Sequence, residues 1–452
     1  MKQSQQGWLL RKLTPAQVLV IGFAVTILIG GALLSMPFAT ESGEGLPFID
    51  GLFTATSAVC VTGLVVVDTA TTYNTFGEVV IMLLIQVGGL GFMTFGTFFA
   101  FLLGKKIGFR ERLILREAFN QFSMQGVVSL VLKVLLLTFI IEGIGCVLLS
   151  LRFIPELGLT KGIYYGLFHS ISAFNNAGFD LFGFRSPFSS LVHYVEDPLV
   201  NLVISSLFIL GGIGFIVILE VVQYRKTKRL SLHTKLVLTV TGMLILVGML
   251  LIMVIEWANP KTLGGLSLQG KVLASYFHSV TPRTAGFNTL NVGDMYTATL
   301  FITVLLMFVG ASPSSTGGGI KTTTLTTILL AVWSMIRGRD DVITYKRRIP
   351  YGLVYKALTV TVAAITLVIT VTMLLTITER TDLLTAVFET VSAFGTVGLT
   401  MGLTPELTLP GKIMIIITMF AGRLGPLTIA FAIARSEKQA PYRYPEEKPL
   451  IG

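Results

Sequence analysis

Charge is what this chain has least of. Only 13% of its 452 residues are charged, about half the share of an ordinary soluble domain. So few polar groups do not cover a water-facing surface, which argues against a soluble protein. Cysteine is nearly absent. Cys60 and Cys146 both lie in apolar stretches, so both read as small core residues, with no disulfide or metal site. The four histidines, His169, His193, His233 and His278, do not cluster. No HExxH, Ser–His–Asp arrangement or aspartate-rich motif is present, which leaves a polytopic membrane enzyme without catalytic groups.

Long apolar runs are plentiful: 53% of residues are hydrophobic. The run from Val18 is too long for the core of a signal peptide and is expected to remain as a span. The runs recur with a period. Ser57–Leu64 (SAVCVTGL), Ser172–Phe179 (SAFNNAGF), Val280–Phe287 (VTPRTAGF) and Ser392–Leu399 (SAFGTVGL) end alike. Their glycines, Gly63, Gly178, Gly286 and Gly398, fall roughly 110 residues apart, far beyond any solenoid period.

Each copy reads as long apolar helix, half-length helix, glycine strand, long apolar helix. The spans fall near Gln17–Pro37 and Gly77–Leu103, Val127–Leu151 and Pro198–Tyr224, Ser231–Trp257 and Met295–Ile336, and Tyr351–Ile377 and Pro410–Ala434. The half helices are Leu46–Cys60, Lys161–Phe174, Ser267–Thr281 and Leu383–Phe394. The expected architecture is an all-α membrane protein. Its eight transmembrane helices and four re-entrant half helices form four units around a central pore, at 1–104, 105–224, 225–336 and 337–435, with a tail at 436–452. Half-length helices are too short to cross about 30 Å of hydrocarbon.

The formal net charge of +10 would suit nucleic acid, but its placement does not. Lys105, Lys106, Arg110, Arg112 and Arg116 follow copy one, Arg225, Lys226, Lys228, Arg229 and Lys235 copy two, and Arg337, Arg339, Lys346, Arg347 and Arg348 copy three. Lys2, Arg11 and Lys12 precede the first span. Basic loops face the cytoplasm. An even number of spans then puts both termini there, and the half helices enter from outside. Acidic residues such as Glu41, Asp68, Asp180 and Glu406 fall mainly on that outer side, where they form either a cation-concentrating vestibule or charge-balanced loops.

Unpaired backbone is tolerated at membrane depth only where protein buries it or water lines it. Four strands converging on a wet axis can replace an ion's hydration shell with carbonyl oxygens. The half helix before each strand aims its partly negative end at the axis, which favours a cation. The candidate oxygens come from Val61, Thr62 and Gly63; Asn176, Ala177 and Gly178; Thr284, Ala285 and Gly286; and Thr396, Val397 and Gly398. The bland alternative makes each glycine a helix cap, which four copies in register argue against.

The second span of copy three contains Gly310, Ser312, Pro313, Ser314, Ser315, Thr316, Gly317, Gly318 and Gly319, a composition no continuous helix survives. The fragment GGGIKT is not a phosphate loop: isoleucine separates glycine from lysine and no strand precedes it, so no nucleotide is expected in this chain. In copy four Arg423 lies inside a span, where an arginine faces a cavity or a partner. Lys321 is the other candidate barrier charge.

The four glycine strands, three of them SAxxxxG, the basic junctions and the interrupted span of copy three resemble the Trk/Ktr/HKT superfamily of potassium translocators. Within it the chain looks like the membrane subunit of a bacterial Ktr system, over essentially its whole length. The resemblance implies K⁺ uptake across the bacterial cell membrane, channel-like rather than enzymatic. Gly63, Gly178, Gly286 and Gly398 would form the filter. An intramembrane loop over Gly310–Gly319, acting with Arg423 beneath the filter, would form the gate. It also implies a membrane homodimer, a cytoplasmic nucleotide-binding ring (KtrA-like) as regulatory partner, no nucleic acid, and Na⁺ as an activator. Val280 departs from the serine of the other copies, and the role of Arg283 is open. A K⁺/Na⁺ or K⁺/H⁺ secondary symporter is the alternative, and would need intramembrane acidic ion sites.

Overall fold

Proline or a short polar residue opens most of the helices. Thr14 accepts the amide of Gln17 in a capping box ahead of Pro15. Asn74, Asp197, Ser231, Ser267 and Asp382 cap later helices through their side chains, each supplying an acceptor that the first turn lacks. The structure, a computed structural model, describes residues 13–91, 93, 94, 96, 97, 107–118, 126–433, 445 and 447. Lys2, Arg11, Lys12, Lys105, Lys106 and nearly all of the expected tail lie outside the described residues.

The helices of eight or more residues are α1 Pro15–Leu34, α2 Phe48–Cys60, α3 Thr75–Leu90, α4 Phe109–Ala118, α5 Val127–Leu157, α6 Leu159–Phe174, α7 Pro198–Ile213 and α8 Phe215–Thr227. They continue with α9 Leu232–Glu256, α10 Leu268–Val280, α11 Thr297–Phe308, α12 Thr322–Ile336, α13 Tyr351–Thr378, α14 Leu383–Gly395, α15 Leu409–Leu424 and α16 Pro426–Ile433. Among the described residues, helices α1, α5, α9 and α13 are long and apolar enough to cross a membrane, and the pair α7–α8 reaches that length only when its two bent helices are taken together. The shorter helices α2, α6, α10 and α14, of 13 to 16 residues, lie close to the expected half helices and pack against the long helix before them.

Two features depart from the expected architecture. A two-stranded antiparallel hairpin, β1 Val342–Thr344 and β2 Arg347–Ile349, turns in a junction expected to be helix-linked loop. The expected continuous spans Gly77–Leu103, Pro198–Tyr224 and Pro410–Ala434 are also interrupted, at Gly91, Gly214 and Gly425. These glycines share one backbone conformation, with φ of 84, 96 and 83°, a region that costs an L side chain strain. The turn at Gly214 bends α7 from α8 by 99°. Hydropathy does not register such breaks, because the residues on both sides remain apolar.

The units close on themselves. Helix α3 packs on α6, α7 on α10, α11 on α14, and α15 back on α2. Each post-strand helix therefore meets the next unit's half helix. Gly88, Gly211 and Gly422 let three of these helices also approach the half helix of their own unit closely. A Cβ on any of them would strike the carbonyl oxygen of Val59, Phe174 or Phe394 respectively. Lys412 and Asp50, 2.5 Å apart, tie the fourth unit to the first.

Candidate functional site

Each half helix ends in the same backbone signature. Val61, Asn176, Thr284 and Thr396 are left-handed, with φ of 52, 59, 71 and 52°. Two residues on, Gly63, Gly178, Gly286 and Gly398 have φ of 90, 69, 80 and 94°. For β-branched Val61, Thr284 and Thr396 this conformation costs on the order of 1–3 kcal/mol each and persists only where the surroundings over-determine it.

The surroundings do so with hydroxyls. Ser57 Oγ accepts the Gly63 amide at 3.0 Å, and Ser392 Oγ that of Gly398 at 3.1 Å. Ser172 Oγ donates to the Phe179 carbonyl at 2.7 Å. In the third unit, where Val280 replaces the serine, the neighbouring Thr281 hydroxyl donates to the Phe287 carbonyl at 2.5 Å. The anchor has moved one residue along the chain. Further up, His169 Nε2 accepts the Leu181 amide at 3.2 Å, His278 Nε2 that of Leu290 at 3.1 Å, and Glu389 accepts the Thr400 hydroxyl at 2.7 Å. Sequence reasoning noted that the histidines do not cluster and missed the part of His169 and His278 in holding the strand exits. Their placement one half-helix turn before the motif was the available signal.

The four glycines stand against one another. A Cβ built on Gly63 would lie 3.1 Å from Gly178 Cα and 2.6 Å from the Ala177 oxygen. One on Gly178 would lie 2.8 Å from Gly286 Cα and 2.9 Å from the Ala285 oxygen. One on Gly286 would lie 3.5 Å from Gly398 Cα and 2.6 Å from the Val397 oxygen. One on Gly398 would lie 3.0 Å from Gly63 Cα, beside the Thr62 oxygen. The succession closes, and no side chain fits at any of its four positions. The carbonyls of Thr62, Ala177, Ala285 and Val397 stand around it.

The segment 309–321 links α11 to α12 without helix and lies against the near end of three strands. Thr316 Oγ1 donates to Asn176 Oδ1 at 2.9 Å, and Asn176 Nδ2 donates to Thr284 Oγ1 at 3.2 Å. The Gly318 amide donates to Thr396 Oγ1 at 2.9 Å. Val61, at the equivalent level of the first unit, offers no polar side chain, and there Arg423 comes in. Its guanidinium donates to the carbonyls of Thr316, Gly88 and Gly89, the last at 3.0 Å. Lys321 Nζ donates to the Gly317 carbonyl at 2.7 Å. Glycine ring, loop and both cations thus form one contiguous cluster. Ser312 contacts Thr322 at 2.8 Å, Ser315 donates to the Ser312 carbonyl at 2.6 Å, and Gly310 packs on Gly319.

Charges elsewhere are mostly occupied. Asp197 pairs with Arg152 at 2.5 Å and Asp294 with Lys261 at 3.5 Å. Asp68 accepts the Phe188 amide at 2.8 Å. Pairing of this kind draws several of the expected outer-side acids away from a free vestibule. Asp180, two residues past Gly178, retains an unusual carboxyl. Burial, with a smaller contribution from the charge of Asp68, pushes it up to about 7 against the stabilising Phe182 amide. Among the described residues no group of three or more acidic, histidine or cysteine side chains could hold a metal.

The apolar helices make this a multi-pass membrane protein, and comparison with known proteins places it among cation transporters. The chain belongs to the TrkH cation transport protein family, whose model matches residues 14–442. It is 51% identical to the Ktr system potassium uptake protein B of Bacillus subtilis (strain 168), over 98% of this chain and 97% of that protein. It is 42% identical to the potassium/sodium uptake protein NtpJ of Enterococcus hirae, over 98% of each. The crystal structure of the potassium transporter TrkH from Vibrio parahaemolyticus matches with a TM-score of 0.70 at 18% identity, covering 92% of this chain and 85% of that one. These relatives are ion transporters, not enzymes.

Proposed function

We propose that the chain is the pore-forming subunit of a Ktr-type potassium uptake system. K⁺ passes, stripped of water, through the four glycine strands, with the carbonyls of residues 61–63, 176–178, 284–286 and 396–398 replacing its hydration shell. The closed succession Gly63–Gly178–Gly286–Gly398 carries this reading. The four units of the sequence, with eight spans and four re-entrant half helices, surround that path. Loop 310–319, Lys321 and Arg423 form the barrier on its cytoplasmic side. The basic junctions place both termini in the cytoplasm. Ions move down the membrane potential, worth about 2.3 kcal/mol per charge per 100 mV.

One glycine per strand supplies few stacked carbonyl rings, so discrimination against Na⁺ is modest, in keeping with the potassium/sodium naming of one relative. A cytoplasmic nucleotide-binding ring of the KtrA kind docks on the basic junctions of a homodimer and sets the gate, with Na⁺ as activator.

Expression in cells deficient in K⁺ uptake, with and without such a partner, tests the reading. Growth at low K⁺ that strengthens with the partner is expected. No rescue under either condition, with the chain present in the membrane, contradicts it.

A further inference from the structure

The glycine breaks leave helix ends with unused acceptors. The last carbonyls of a helix have no partner within it. At Gly422 none is available, because Pro426, four residues on, has no N–H. Gate components take these acceptors up. The Ser312 amide donates to the Gly212 carbonyl at 2.9 Å, the Thr316 amide to Gly211 at 3.2 Å, and the Gly319 amide to Gly422 at 3.3 Å. Arg423 donates to Gly88 and to Gly89, the latter at 3.0 Å. Three of these carbonyls, at the partly negative ends of two helices, therefore accept from the loop, and the other two, at the end of a third, are taken by the Arg423 cation.

We propose that the Gly88 and Gly89 carbonyls form a second monovalent-cation site below the glycine ring, which the Arg423 guanidinium occupies as a tethered substitute while the loop is in place. This rests on reading loop and arginine as the gate. Unwound carbonyls at helix C-termini are established cation ligands in transporters. Gate and ion then compete for one set of acceptors. By reciprocity, a cation in the site favours withdrawal of the loop to the same degree that withdrawal favours the cation.

Arg423→Gly places at this position the residue that the first and second units carry, Gly89 and Gly212. Thallium anomalous diffraction on the full-length protein should show a peak at the ring in both forms, and a second, at the Gly88 and Gly89 carbonyls, only in the variant. A ring peak without the second peak overturns this site alone, as does a second peak in the unsubstituted protein. Absence of both peaks overturns the pore reading and this inference with it. The unsubstituted protein provides a check independent of the variant's folding. Amide hydrogen exchange at Ser312, Thr316 and Gly319 should be several-fold faster in K⁺ than in N-methyl-D-glucamine. Equal rates overturn the competition.

Discussion

The Arg423 guanidinium donates at 3.0 Å to the carbonyl of Gly89, and Gly89 is the residue that fills the first unit's version of the Arg423 position. A fixed cation on one helix thus binds the corresponding backbone of another. It bridges the first and fourth units beneath the strands and holds the Thr316 carbonyl of the loop as well. Charge-assisted bonds of this kind contribute about 1.5–3 kcal/mol each.

Removing that bridge is expected to open the path. Arg423→Gly should raise K⁺ flux in proteoliposomes by about tenfold, the factor that a shift of about 1.4 kcal/mol produces. Thr316→Val, which loses the bond to Asn176, should act in the same direction more weakly. Flux unchanged in both variants contradicts the barrier role.

The strand anchors should separate selectivity from folding. Ser57→Ala and Ser392→Ala each free a glycine amide, at a stability cost of about 1 kcal/mol. The same change relaxes a ring strand. K⁺ preference over Na⁺ should fall while the melting temperature drops only a few degrees. In the third unit the corresponding loss follows Thr281→Val and not Val280→Ala, because Thr281 makes the bond. A loss of preference from Val280→Ala equal to that from Thr281→Val contradicts this assignment.

Asp180 predicts a pH response. Its carboxyl, raised to about 7 by burial and by the charge of Asp68, is charged above that value and neutral below it. A negative group two residues past the ring attracts cations, so the apparent KM for K⁺ should rise as external pH falls through about 7. Asp180→Asn should show the high KM at all pH values. A pH profile that the substitution does not change contradicts the role.

Much of this was legible in the sequence, for identifiable reasons. The half helices were readable because their ends are fixed by a motif, such as SAxxxxG closing at Gly178, and by caps such as Ser267 and Asp382. The glycine ring was readable because period and residue type recur together. The breaks at Gly91, Gly214 and Gly425 were not readable, because hydropathy is blind to backbone conformation and apolar residues continue beyond each glycine. The partners of Arg423 were also hidden. They are main-chain carbonyls of Gly88, Gly89 and Thr316, hundreds of residues or a whole unit away, and no side-chain pattern marks them. The shift of the anchor from Val280 to Thr281 looked like a departure from the motif. It preserves the bond by moving the hydroxyl along the helix end.

The most direct test of the account is the K⁺/Na⁺ preference of Gly63→Ser, Gly178→Ser, Gly286→Ser and Gly398→Ser, measured under bi-ionic conditions on protein confirmed to be folded. On the proposed reading the strands line one path, so each variant should lose K⁺ preference by about tenfold or more, equivalent to about 1.4 kcal/mol. An unchanged preference in all four would contradict it.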